Sequence, residues 1–300
     1  MALNLIDLRR RIKAVKDTQK TTQAMKTVSA VKMRRSINEL HRIRPIMEKT
    51  ESLLKHTAQA SGKEVKAHPF LKERETGYTV IVAISADKGL CGAFNSHLLE
   101  KVEHHYHEQL DQEGDNLSLI TVGNKAFKHF KKKKYPIKKA YQSVISRLKY
   151  HHAQDLSKYL QEIYLNPDEE IKRVEFVFTR YISASKHETA SRQLFPIPFT
   201  WEAEEGSPGD KEDIEYIFEP SAPEIFAALL PRYIDTLVYQ TLLQSTASEH
   251  AARMAAMELA TQNADEMIHD LTLTLNKLRQ ASITGELLEI ITATEALKNL

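Results

Sequence analysis

The sequence predicts an α/β layer enclosed by two long helices, one at each end of the chain. Three observations carry that prediction. Glycine and proline are scarce, 9 and 10 among 300 residues, so tight turns are few. No glycine precedes Gly62 and none falls between Gly209 and Gly285. Charge also divides by segment. Residues 1–61 carry 14 Lys and Arg against 5 Asp and Glu, residues 62–220 carry 23 against 25, and residues 221–300 carry 5 against 10. The organisation expected is an N-terminal coiled-coil helix over 1–61, a central α/β domain over 62–220 and a C-terminal coiled-coil helix over 221–300. A basic arm and an acidic arm are suited to pair with each other; a free basic arm would suit nucleic acid or anionic lipid.

Composition narrows the alternatives. Such sparse glycine and proline exclude a collagen, a β-propeller and a sandwich built on many tight turns. At 42% hydrophobic and 27% charged residues the chain is ordinary for a globular protein. Cys91 is the one cysteine, which excludes a disulfide framework and a cysteine-based zinc site and suits a reducing compartment. The N-terminal MALNLIDLRRRIKAVK has no apolar core of a signal peptide. No segment approaches the roughly 20 apolar residues that span a bilayer.

The elements follow in order. Residues 3–60 read as one helix, with a seam at Leu8, Ile12 and Val15, then Thr22, Met25, Val28 and Ser29, then Met33, Ile37 and Leu40. The alternation of three and four is that of a coiled coil. It weakens at Gln19, Thr22 and Lys26, and Pro45 is expected to kink the helix. Tyr78–Ser85 reads as a buried strand, Asn95–Asp111 as a helix, Asn116–Val122 as a strand and Asn124–Lys134 as a short helix. A helix over Ser146–Leu165 and strands at Val174–Ile182 and Arg192–Phe199 complete a mostly parallel sheet. Residues 202–215 read as an acidic loop. Residues 221–298 read as the second long helix, with Pro223 and Pro231 in its first turns. Its seam runs through Ala247, Ala251 and Met254, then Ala264, Ile268, Leu271, Leu275 and Leu278.

No motif points to bond chemistry. SADKGLCG (Ser85–Gly92) follows a strand but meets neither the P-loop nor the dinucleotide spacing, so it reads as a tight strand-to-helix turn. Cys91 has no His or carboxylate placed to activate it and reads as a structural thiol. His104, His105 and His107, and His151 with His152, lack metal-ligand spacing and read as solvated helix surface. Lys131–Lys134 with Lys138 and Lys139 reads as a solvated run, without the interleaved aromatics of a single-strand binder. No cofactor or metal is expected.

RRRIKAVKDTQKTTQAMKTVSAVKMRRS (Arg9–Ser36), SADKGLCGAFN (Ser85–Asn95) and ASEHAARMAAMELATQNADEMIHDLTLTLNKLRQASIT (Ala247–Thr284) together strongly resemble the gamma chains of F-type ATP synthases, in the right order and over the whole chain. The resemblance implies an antiparallel left-handed coiled coil, a central Rossmann-like α/β domain and a non-catalytic rotary shaft of a proton-translocating enzyme. It implies as partners the alpha and beta subunits of the catalytic head, the epsilon subunit and the membrane c-ring. Arg279, Gln280 and Thr284 match residues that meet a beta-subunit loop, and Met25 and Lys26 match the facing stretch of the N-terminal helix. Tyr216, Phe218 and Glu219 match the foot on the ring. Glu286–Leu300 would outrun the N-terminal helix, leaving Leu287, Leu288, Ile290, Ile291 and Leu297 for a bearing formed by the head. Ile283-Thr284-Gly285-Glu286 departs from the family's ITQE tetrad, and a helical glycine costs about 1 kcal/mol against alanine. The lone Cys91 rules out the chloroplast relatives' cysteine pair. With no transit peptide before the match, the expected place is peripheral, on the cytoplasmic face of a bacterial inner membrane. Two other readings are a coiled-coil nucleic-acid binder using the basic arm, and a nucleotide-dependent enzyme using the middle domain.

Overall fold

A computed structural model describes residues 2–61, 65, 68–113, 117–198 and 217–298. Helix α1 spans Ala2–Ser61 and α5 spans Ala222–Lys298. Helix α1 runs unbroken through Pro45. Pro231 is the tenth residue of α5, beyond the first turns expected for it. The chain forms two compact units, residues 1–30 with 253–300, and residues 31–252.

In the first unit, burial along α1 recurs at Leu5, Leu8, Ile12, Val15, Gln19, Thr22, Lys26 and Ser29. Along α5 it recurs at Met254, Met257, Thr261, Ala264, Ile268, Leu271, Leu275, Leu278, Ser282 and Gly285. Both series alternate three and four, the heptad pattern of a helix that meets one partner along one seam. Val28, expected in the seam, is 55% exposed, and Ser29, one residue on, is buried instead. One step of 100° separates the two, so they cannot share a narrow seam.

The polar centre of the seam is matched side chain to side chain. The Gln19 amide donates to Asp265, the Thr22 and Thr261 hydroxyls lie 2.8 Å apart, and Lys26 pairs with Glu258. As the α1 number rises the α5 number falls, so the pairing is antiparallel.

The second unit is built on a five-stranded sheet. Its strands are β1 Tyr78–Ile84, β2 Ser118–Val122, β3 Ile137–Tyr141, β4 Ile171–Tyr181 and β5 His187–Phe195. Their order is β3-β2-β1-β4-β5, parallel throughout except for β5, which runs antiparallel to β4. Helices α2 (Phe94–Glu113), α3 (Asn124–Lys132) and α4 (Tyr150–Leu165) complete it. Val80, Val82, Ile84 and Phe176 pack with Leu156 and Leu160 of α4, Leu54 of α1 and Leu230 of α5. Ile81, Ala83, Leu119 and Val177 pack with Leu98 and Val102 of α2 and Phe130 of α3. Burial on both faces is why β1 reads as an uninterrupted apolar run.

Strand β3 is absent from the sequence reading because IKKAY carries two lysines. Both have a use. Lys139 Nζ sits 3.6 Å from the centre of the Tyr159 ring, and Lys138 pairs with Glu169 and donates to the Tyr78 hydroxyl at 3.0 Å. The expected helix over Ser146–Leu165 starts only at Tyr150, after a 3₁₀ turn at Ile145–Arg147. Strand β5 begins at His187, earlier than expected; Phe199 and residues 202–215 lie outside the described residues.

His105 is not solvated surface. Its Nε2 lies 2.5 Å from Glu175 Oε2, and Arg173 reaches the other oxygen at 3.1 Å. This clips α2 onto β4. Burial alone would push the Glu175 carboxyl up, but His105 and Arg173 outweigh it and hold it below the usual carboxylate range.

Two tests follow from these contacts. The depressed Glu175 carboxyl contributes stability that is complete above its unfolded value and lost as pH falls through its lower folded value. Glu175→Gln is therefore expected to cost about 2 kcal/mol near neutral pH, shrinking towards zero in acid, by denaturant unfolding across pH. In the seam, Lys26→Glu is expected to lower stability by about 1 kcal/mol, because the pair is part-exposed. Adding Glu258→Lys should recover most of the loss in the same thermal melts.

Candidate functional site

The loop after β1 is braced from within. The Ser85 hydroxyl accepts the Ala126 N–H at 2.8 Å in the first turn of α3. Gly123 has φ +98°, and a Cβ there would lie 2.2 Å from the Ser85 carbonyl oxygen, so only glycine fits. Asp87 Oδ1 accepts the N–H groups of Asn124 at 3.2 Å and Ser143 at 3.0 Å, and Oδ2 accepts that of Ser146 at 2.7 Å. Asn95 accepts the Ala86 N–H and donates to the Cys91 sulfur, both at 3.1 Å.

These bonds decide what the loop can do. Asp87 occupies the N-terminus of α3, the place a phosphate would take in a nucleotide site. Cys91 is 1% exposed and packs with Ala86, Phe94 and Ala252, so it serves packing and not nucleophilic chemistry. What the loop offers outward is Lys88 and Leu90. Leu90 holds φ +63° and is 63% exposed, a large apolar side chain displayed at the tip of a rigid turn. The sequence reading passed over Leu90 as one letter of a motif; no periodicity marks a displayed loop residue.

On the coiled coil, Arg279, Gln280 and Thr284 all lie off the seam and are exposed. Met25 and Lys26 are part-buried. The structure does not bring the two groups together: Lys26 meets Glu258, about 30 Å along α5 from Arg279. With Thr22 beside Thr261, α5 outruns α1 beyond about Ser282. The residues past that point include Leu287, Leu288, Ile290 and Ile291, which are 55–63% exposed. The Leu297 side chain lies outside the described residues. A Cβ on Gly285 would meet nothing within 4 Å, and the helix continues through it. Of the foot residues, Tyr216 lies outside the described residues, Phe218 is half-buried and Glu219 exposed, with Ile217 between them 89% exposed.

Among the described residues, no group of three or more His, Cys, Asp or Glu is placed to hold a metal ion, and no helix is long and apolar enough to cross a membrane.

The comparisons with known proteins agree with one another. The family model described as ATP synthase matches residues 4–297. The ATP synthase gamma chain of Pelotomaculum thermopropionicum is 39% identical over 295 residues, covering 98% of this chain and 99% of that one. That of Desulforamulus reducens is 37% identical, covering 97% and 98%. In fold, the chain resembles one in the Euglena gracilis mitochondrial ATP synthase OSCP/F1/c-ring structure, with TM-score 0.66, 18% identity and coverage of 99% and 95%. It also resembles one in the Tetrahymena thermophila central stalk/c-ring structure, with TM-score 0.57, 23% identity and coverage of 80% and 99%. Two terminal helices that share a heptad seam, a mixed five-stranded sheet and end-to-end identity with curated relatives lead to one assignment: the chain belongs to the ATP synthase gamma-chain family.

Proposed function

We propose that the chain is the central rotary shaft of a proton-translocating F-type ATP synthase. It couples rotation of the membrane ring to conformational cycling of the catalytic beta subunits. The observation that carries this reading is the C-terminal end of α5. Its apolar side chains outrun α1, past a coiled coil whose register is locked by Gln19–Asp265, Thr22–Thr261 and Lys26–Glu258. A rod with a fixed register transmits torque, and an exposed apolar end needs a bearing. The chain is a non-catalytic subunit. It acts by favouring different partner conformations at different angles.

The partners under this reading are the alpha and beta subunits of the head, the c-ring and the epsilon subunit. The titles of the similar structures name an F1 and c-ring assembly and a central stalk with its ring, which supports the head and the ring. Arg279, Gln280 and Thr284 meet the head, Met25 and Lys26 meet it from the other helix, and Leu90 presents a separate apolar contact. Tyr216, Phe218 and Glu219 form the foot on the ring. The chain is peripheral, on the cytoplasmic face of a bacterial inner membrane.

The nucleic-acid reading has no support from the relatives, and Lys26 of the basic arm is already paired with Glu258. The nucleotide-dependent reading is opposed by Asp87, which fills the helix terminus a phosphate would need.

The test is native mass spectrometry of the tagged chain released gently from its own membranes. The expected particle holds one copy with three alpha and three beta subunits and hydrolyses ATP. A free chain, or one carrying nucleic acid, would sink the reading. Arg279→Ala with Gln280→Ala is expected to leave that particle and its melting temperature in place, since both side chains are exposed. ATP synthesis by membranes carrying it should fall several-fold.

A further inference from the structure

A cavity of about 610 Å³ opens within the second unit, between α1, α5 and residues 145–150. Its lining is basic. Lys32 and Arg35 come from α1, and Arg147 and Lys149 from the turn that leads into α4. The one carboxylate of the lining, Glu39, is held by Arg42 at 3.1 Å. Among the described residues, none of the four cations has an ion-pair partner. Four cations therefore line one cavity with a single carboxylate among them.

Two further features point the same way. Helix α4 begins at this cavity, with no acidic residue in its first turn and a lysine, Lys149, at its N-cap. A helix of 16 residues presents positive potential there, and Lys149 adds to it instead of cancelling it. The Ser36 hydroxyl, on a side chain 7% exposed, also lines the cavity and has no hydrogen-bond partner among the described residues. Ser29, Thr27, Thr50 and Thr57 on the same helix all return a bond to the carbonyl one turn back. A hydroxyl that lines the cavity without that bond is available to a ligand oxygen. Beside it, the Tyr150 and Tyr239 rings meet edge to face at 5.3 Å, and Tyr150 remains 40% exposed.

We propose that this cavity binds a polyphosphate anion, whose oxygens are held by Lys32, Arg35, Arg147, Lys149 and the Ser36 hydroxyl. Free polyphosphate and the tail of a nucleoside triphosphate share this chemistry. In the second case the open face of Tyr150 takes the base. The bound anion would cross-brace α1 to the turn before α4 and relieve the repulsion among four like charges.

The test is isothermal titration calorimetry on the full chain at low ionic strength, with sodium tripolyphosphate and, separately, magnesium-free ATP. One site per chain is expected, weakening as salt rises. Arg35→Gln and Arg147→Gln should each weaken binding about tenfold, the worth of a charge-assisted hydrogen bond, and Ser36→Ala several-fold. Both arginines are exposed and, among the described residues, unpaired, so the ligand-free melting temperature should not fall in either variant. ATP binding more tightly than tripolyphosphate would place the base on Tyr150; equal affinity would assign the site to phosphate alone; either supports the proposal. No saturable binding of either anion, or binding that the arginine variants retain, overturns it. The measurement needs no partner subunit, so a failure here leaves the shaft reading untouched.

Discussion

Register is the constraint on which the coiled coil depends. A seam of leucines and alanines alone would let two helices slide by a heptad at little cost, because one apolar layer resembles the next. Gln19–Asp265, Thr22–Thr261 and Lys26–Glu258 remove that freedom. Each slip would leave a part-buried polar group facing a methyl, and an unmatched polar group costs more than the matched pair contributes. The weakest stretch of the seam by hydrophobicity is thus the strongest by specificity. For a part proposed to carry torque, a unique register matters more than a few tenths of a kcal/mol of extra burial.

The second unit is organised by a different limit. Its central strands are covered on both faces, so every polar group near them must be satisfied inside. Ser85 and Asp87 do this at the carboxyl end of β1, where a parallel sheet ordinarily offers a ligand site. Here the serine hydroxyl and the aspartate carboxylate fill the helix terminus themselves. The fold type is one that often binds nucleotides, yet at this position it has been closed to them. The loop instead becomes a rigid mount for Leu90. Elsewhere in the second unit, between α1 and the turn before α4, Lys32, Arg35, Arg147 and Lys149 line one cavity, and among the described residues none of them has an ion-pair partner.

The sequence by itself determined the two long helices, the strand–helix alternation and the heptad spacing of Leu271, Leu275 and Leu278. These are local properties, set by periodicity and by the absence of glycine and proline. It also carried the family, because long motifs preserve residue order. The tertiary structure alone decided which polar residues meet. Gln19, Thr22 and Lys26 read as defects until Asp265, Thr261 and Glu258, some 240 residues away, came to face them. Strand β3 was illegible because its lysines cover Tyr159 and Glu169 from other elements, and His105 looked solvated until Glu175 lay beside it. Val28 and Ser29 could be separated only once the direction of the seam was known. Pattern along the chain fixes which face of an element is buried; what that face meets is a long-range pairing, and no local period encodes it.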